Sequence, residues 1–416
     1  MKDINFAGIK KAVWSRWMEI KPMFQKHGDI LLLALALAVL SAALIYRIGG
    51  KNISQTTAPS IQFSQWWQND LEKETLRNIV NEFESLHKDI KIVITDRAYE
   101  DLRHDLFNPS ENNFAGDVLA LDPLWIPDLI KNGIIENSYD WVPFISFINV
   151  LYYNVEILKE AKFTRPPKNR GEFTNYLRTI TSREKNRWGL AVDRNSSRGI
   201  YDDVFPWIWA AGQQLIKDGE PAVTSRQIVD SLVYLASLNK EGLILPDSPT
   251  GNKLEDFVSG RAAFMIAPSN YIEFIRERMG EEAFGVSSIP TPDNYPGKTF
   301  YASAEWTIGV NAASAHKEEA LLFAGFIAGK TSMLSEKSHA IPGDGSPPLL
   351  LAPIYSKLWD IAIASEAAQD LNGLPWTELE ETFKEGLNNL LEEKSSPAET
   401  AAIIQKKWEE ICSPKQ

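Results

Sequence analysis

The sequence predicts two α/β lobes with a cleft between them, preceded by one N-terminal transmembrane helix. Three observations lead there. Strand-length apolar runs alternate with helical stripes over most of the chain, and strand–helix–strand order at this spacing means parallel pairing. Residues 143–154, Pro-Phe-Ile-Ser-Phe-Ile-Asn-Val-Leu-Tyr-Tyr-Asn, form one aromatic and β-branched run that reads as a buried strand joining one lobe to the next. Residues 30–46 carry no charge at all. A chain of 416 residues is long enough for two domains and a sizeable core.

Residues 30–46 would rise roughly 26 Å as a helix, the short end of a membrane span. Asp29 and Arg47 bracket the run, and Tyr46 suits an interface. Its unbroken apolarity leaves no polar face for a core helix. A cleaved signal peptide and a retained anchor both fit such a segment. The 29 residues before it are long for a signal peptide, and the best small-x-small site, Ser41-Ala42-Ala43, falls inside the run, so a retained signal-anchor is the reading adopted. Residues 1–29 carry a net +3, which places the N-terminus inside and the body in the periplasm or outside the cell. There Phe6, Ile9, Val13, Trp14, Trp17, Ile20 and Phe24 recur at helical steps among lysines, as in an amphipathic helix on the inner membrane surface. Residues 47–59 read as a Gly/Ser/Thr-rich linker.

In the body, 60–67 alternates as a first strand, 72–86 carries a helical stripe of Leu76, Ile79, Val80, Phe83 and Leu86, and 89–95 is a second strand. A third strand at 117–121 precedes a short helix at 126–132 closed by Gly133. Past 143–154, helices are expected at 170–181, 208–212 and 228–239, the last with Gly242 beyond its end, and strands at 188–192 and 262–266. A further crossing at 299–310 leads to an apolar helix at 318–328, and the tail is helical over 350–363 and 377–411. The expected lobes are 60–148 plus 302–345 and 149–301 plus 346–416.

Ligands of open parallel sheets bind outside the carboxyl ends of the strands. That rule selects Trp66 and Trp67 after the first strand, Tyr99 and Glu100 after the second, and Asp122 and Trp125 after the third. In the second lobe it selects Trp207 and Trp209 before Gly212, and Asn270 and Tyr271 after 262–266; Glu305 and Trp306 lie on the second crossing. Any one of these aromatics also fits a core. Trp66 and Trp67 are adjacent on a strand and face opposite ways, so one at most reaches a cleft directly. Asp117 reads as a turn residue, and Asp122 equally fits a cap for the Leu124 turn.

The net charge is −12 overall and −15 beyond residue 29, which excludes nucleic acid as a main partner, since phosphate binding needs a basic footprint. A single cysteine, Cys412, permits no disulfide within the chain and no cysteine metal site. The five histidines have no ligand spacing, and no Gly-x-Ser-x-Gly elbow is present, so neither a metal, a cofactor nor a hydrolase triad is expected. Gly329-Lys330-Thr331 ends a relaxed phosphate-loop pattern, but the residues before it are helical rather than a strand and glycine-rich loop.

In order along the chain stand 63–67, Glu82-Phe-Glu84, Leu151-Tyr-Tyr-Asn154 with Pro166-Pro167, Trp209-Ala-Ala-Gly212, Gly260-Arg-Ala-Ala-Phe-Met265 and Ile308-Gly-Val-Asn311. This series resembles the family 1 extracellular solute-binding proteins of ABC transporters, the maltose-binding-like sugar receptors, over roughly residues 60–345. A Gly-Pro-Trp-like turn of that family reads Ala267-Pro268-Ser269 here, with Tyr271 close by. The resemblance implies a type II periplasmic-binding-protein fold, with crossing segments at 144–153 and 300–307 and ligand closing the lobes by a hinge. It implies a monomeric receptor that performs no chemistry. That receptor would capture a sugar, expected to be an oligosaccharide, and hand it to an ABC permease. Aromatic rings cover the CH faces of sugars and carboxylates meet the hydroxyl rim, which suits the selected set. An anchored sensor or adhesin on the same fold is the alternative, and a carbohydrate-active enzyme a weaker one.

Overall fold

The computed structural model describes residues 59–71, 74–108, 116–136, 140–193, 196, 198–245, 252–301, 303–342, 353–368, 371 and 373–413. The expected membrane segment at 30–46, its basic flank and residues 47–58 of the linker lie outside the described residues. Among those described, no helix is long and apolar enough to cross a membrane.

The first lobe opens with β1 (Ser60–Gln65), α1 (Thr75–Leu86), β2 (Lys91–Asp96), α2 (Tyr99–Phe107), β3 (Val118–Leu121) and α3 (Ile126–Lys131). β1 pairs in parallel with β2 and with β3, as strand–helix–strand order requires. The α1 stripe of Leu76, Ile79, Val80 and Phe83 is buried against this sheet, whereas Leu86, at the end of the same stripe, is exposed. Gly133 closes α3 at φ +71°, a conformation that a side chain would strain. Asp117 accepts from Gln62 N at 2.8 Å and from Ser314 Oγ at 2.6 Å, so it ties β1 to the loop after residues 303–310 beside the start of β3. Tyr99 and Glu100, selected as following the second strand, lie in the first turn of α2.

β4 (Trp141–Asn154) is the strand predicted at 143–154, and it belongs to both lobes. Its first half pairs antiparallel with the strand Ser303–Val310, and its second half pairs antiparallel with Ala262–Pro268 and Phe284–Ser287. Phe147 packs in the first lobe's core and Ile148 in the second's, so the change of lobe falls between adjacent residues.

The second lobe continues through α4 (Val155–Glu160), α5 (Arg170–Ile180), β5 (Trp188–Ala191), α6 (Phe205–Trp209), β6 (Ile216–Lys217), β7 (Glu220–Pro221), α7 (Arg226–Lys240), α8 (Lys253–Val258), β8 (Ala262–Pro268), α9 (Tyr271–Met279), β9 (Phe284–Ser287) and β10 (Thr299–Tyr301). A π-helical turn, Ile200–Val204, runs into α6, so that helix starts and ends three residues earlier than the sequence pattern suggests. β10 is not part of the crossing. It pairs in parallel with β13 inside the second lobe, and the return crossing is β11 (Ser303–Val310) alone.

β11 pairs antiparallel with β3 and β4 and leads to α10 (Lys317–Ala328) and α11 (Thr331–Lys337). Lys330 pairs with Glu82 at 2.6 Å beyond a helix end, not at a phosphate loop. The chain then crosses again: Ala340 packs in the first core and Ile341, on β12 (Ile341–Pro342), in the second. After α12 (Pro353–Ala364) and β13 (Ser365–Ala367), the tail forms two helices rather than one, α13 (Trp376–Leu391) and α14 (Pro397–Cys412). A capping box of Ser396 and Glu399 starts the second.

At the junction, Ser269 ties two crossings together. Its hydroxyl donates to His339 O at 2.7 Å and accepts from Ile148 N at 3.4 Å. The His339 imidazole is held down to about 4 by burial and by the Arg276 guanidinium beside it.

Candidate functional site

A cavity of about 460 Å³ lies between the lobes, at the carboxyl ends of the parallel strands. From the first lobe, Trp66 follows β1, Tyr99 and Glu100 follow β2, Asp122 follows β3, and Trp306 comes from β11; all line it. Asn270 and Tyr271, which follow β8, line it from the second lobe. β1 ends at Gln65, before the tryptophans that the sequence places on it. Trp66 is a bend and Trp67 opens a 3-10 turn, Trp67–Asp70, and that turn sends the two rings different ways. Trp66 packs edge-on against Tyr99 with ring centroids 5.2 Å apart, whereas Trp67 points into the core and stacks on Trp306 at 4.8 Å.

Four selected residues are elsewhere. Trp67 is fully buried. Trp125, 2% exposed, packs behind Trp66 at 5.5 Å and supports the wall without lining it. Trp207 and Trp209 are fully buried in the second core, against Phe173 and Tyr234 for the first and Tyr201 and Phe205 for the second. They belong to a helix whose apolar sides are all covered, so no side is left for the cleft. The side chain of Glu305 lies outside the described residues.

The larger omission from the selected set is the segment after β5. Asp193, Ser196, Arg198, Asp202 and Asp203 all line the cavity, the last two on the π-helical turn. The carboxyl-end rule, carried one strand further to 188–192, points straight at them. Asp70 ends the 3-10 turn that follows β1, a few residues past the two tryptophans the rule selects, and Lys253 opens α8, away from any strand end.

Charge organises the site. Arg198 reaches Asp122 across the cleft and Asp202 on its own side, the latter at 3.1 Å. The Tyr99 hydroxyl donates to Asp122 Oδ2 at 2.8 Å. Asp122 Oδ1 also accepts from Leu124 N at 2.9 Å, so the cap and the cleft roles coexist in one carboxylate. Lys253 Nζ donates to Asp203 Oδ2 at 2.6 Å and to Ile266 O at 2.8 Å. Despite Lys253, burial pushes the Asp203 carboxyl up to about 7. Burial likewise raises Asp70 to about 7, against an opposing hydrogen bond from Asn270. The Tyr271 phenol is raised by burial and then by the neighbouring Asp70 and Asp202 carboxylates. Burial lifts Glu380, on α13, to about 8, opposed by Arg103 and Lys384. Among the described residues, no group of three or more His, Cys, Asp and Glu side chains is placed to hold a metal ion.

Two α/β lobes, strand crossings and a cavity at the strand ends define a two-lobed solute-binding architecture. The chain belongs to the bacterial extracellular solute-binding protein family, whose profile matches residues 69–333. A "Probable ABC transporter-binding protein" of Deinococcus radiodurans is 23% identical over 297 residues, 65% of this chain and 68% of that one. The melibiose/raffinose/stachyose-binding protein MelE of Bacillus subtilis is 25% identical over 345 residues, 73% of this chain and 77% of that one. In fold, the chain is similar to the GacH receptor of Streptomyces glaucescens, described unliganded and with acarbose. The TM-score is 0.70 at 18% identity, covering 86% of this chain and 99% of that one.

Proposed function

We propose that the protein is an exported, membrane-tethered receptor that captures an oligosaccharide between its lobes and delivers it to an ABC importer. The observation that carries this reading is the cavity wall. Trp66, Tyr271 and Trp306 bring aromatic rings to it, and Asp122, Glu100 and Asn270 bring polar groups. Rings cover the CH faces of a sugar while carboxylates and amides meet its hydroxyls. A volume of about 460 Å³ falls in the range of roughly 300–1,000 Å³ usual for small-molecule sites. The saccharide-binding relative and the acarbose-bound structure support the same ligand class.

The working lobes divide where the cores change, at 147/148 and 340/341, close to the boundaries at 148/149 and 345/346 that the sequence suggests. Residues 30–46 anchor a monomer to the inner membrane, with its body in the periplasm or outside. The receptor changes nothing in its ligand, because its task is closure around it.

Tryptophan fluorescence and thermal shift across a broad panel of neutral and charged oligosaccharides test the assignment. A saturable change with at least one sugar is expected. A folded protein that responds to none contradicts it. Stimulation of a purified permease's ATPase by the loaded receptor tests delivery, and no stimulation would leave sensing as the role.

A further inference from the structure

The cavity carries more acid than a neutral sugar needs. Asp70, Glu100, Asp122, Asp193, Asp202 and Asp203 line it against two cations, Arg198 and Lys253. Both cations are already engaged, Arg198 by Asp122 and Asp202, Lys253 by Asp203 Oδ2. Asp203 is 1% exposed, and its other oxygen, Oδ1, is buried with no hydrogen-bond partner among the described residues. Such an atom loses its hydration and gets nothing in return. Asp70 stands in the opposite lobe. It, Asp203 and Tyr271 all line the one cavity.

We propose that the ligand carries a protonated amine, seated against Asp203 on the cavity wall that Asp70 and Tyr271 also line. This rests on the carbohydrate reading above and narrows it to an amino-substituted saccharide. A neutral polyol enclosed there faces a formal surplus of four negative charges, which the site relieves only by keeping protons on its carboxyls. That is the state burial imposes on Asp70 and Asp203 near neutral pH. An ammonium group has three donors and no acceptor, so it suits the unpartnered Oδ1 of Asp203. Its charge also keeps both carboxyls ionised, so protons leave the protein as it binds. The rings of Tyr271, Trp66 and Trp306 suit a cation as well as a sugar face. A metal ion is the other way to neutralise acid, and the described residues offer no cluster for one.

Calorimetric titration of the purified full-length protein at about pH 6.5 tests this with matched pairs: glucosamine and glucose, galactosamine and galactose, and the β-1,4-linked glucosamine trimer and cellotriose. Putrescine supplies an amine without a sugar. In at least one pair, the amino form should bind 10-fold or more tighter and release about one proton, read from buffers of different ionisation enthalpy. Asp203→Asn or, should that variant not fold, Asp70→Asn should collapse the preference to within 2–3-fold. Neutral sugars binding as tightly as their amino partners overturns the amine and leaves the carbohydrate reading standing. Putrescine binding while every sugar fails keeps the amine and removes the carbohydrate. No binding in any arm overturns both.

Discussion

Arg198 of the second lobe meets the carboxylate of Asp122 in the first, and Tyr99 donates to that same carboxylate at 2.8 Å. The Asp122 side chain is 4% exposed and that of Arg198 15%, so this is a buried pair spanning a cleft. It links the lobes across the cavity that both residues line, and Asp202 and Tyr201 brace its arginine end.

Breaking one partner of a buried pair leaves the other charged and unsatisfied, which costs on the order of 3–5 kcal/mol. Asp122→Ala is therefore expected to lower urea stability by about 3 kcal/mol. It is also expected to open the unliganded protein, seen as a larger radius of gyration in solution scattering. An unchanged melt together with an unchanged radius would remove the latch.

Trp66 and Trp207 separate binding from folding. Trp66→Ala should weaken ligand affinity by about 10–100-fold with little effect on the melt, since its ring lines the cavity. Trp207→Ala removes a fully buried ring and should cost about 3–5 kcal/mol of stability. The folded fraction of that variant should retain wild-type affinity. Loss of affinity in the folded Trp207→Ala protein would place that ring at the ligand after all.

The acidic cavity wall sets a pH dependence with a definite sign. Asp70 and Asp203 titrate near 7 when folded but near 4 when unfolded, so the native state holds more protons in between. Their stabilising effect is present at low pH and is lost as pH rises through about 7. Between pH 6.5 and 8 each should cost about 1 kcal/mol, and Glu380, near 8, continues the trend. His339 has the opposite sign: held near 4, it lowers stability as pH falls from about 6.5 to 4. Stability of the unliganded protein should thus fall from pH 6.5 to 8, and Asp203→Asn should flatten that fall. A melt that rises over this interval would contradict the assignment.

Ser269 is the test of the hinge. Its hydroxyl joins Ile148 on one crossing to His339 on another and touches no cavity wall. Ser269→Ala leaves a buried backbone N–H and C=O without this partner and should cost about 1–2 kcal/mol. It should also shift ligand affinity, up or down, by several-fold through the closing equilibrium. Equal affinity with equal stability would exclude Ser269 from the hinge.

Much of the fold was legible because period and length are local. Residues 143–154 and 262–266 read as strands from their own side chains, and the stripe on α1 needed no partner to be seen. The short pieces were hidden: α2 begins on Tyr99-Glu100-Asp101, which carry no apolar period, and the π-helical turn at Ile200–Val204 has no sequence signature of its own. At the site, the strand-end rule found Trp66, Tyr99, Asp122, Asn270 and Tyr271, because topology alone places them at the cleft. It failed for Trp207 and Trp209, where helix packing decides which way a ring faces. Arg198, Asp203 and Lys253 come together from three separate segments, and such a meeting cannot be read from spacing.

Native mass spectrometry of the purified full-length protein, with and without a panel of oligosaccharides, tests carbohydrate capture most directly. A one-to-one saccharide adduct is expected, and it should disappear in a Trp66→Ala, Tyr271→Ala double variant that still folds. The absence of any saccharide adduct, or one that survives in that variant, would contradict capture in the interlobe cavity.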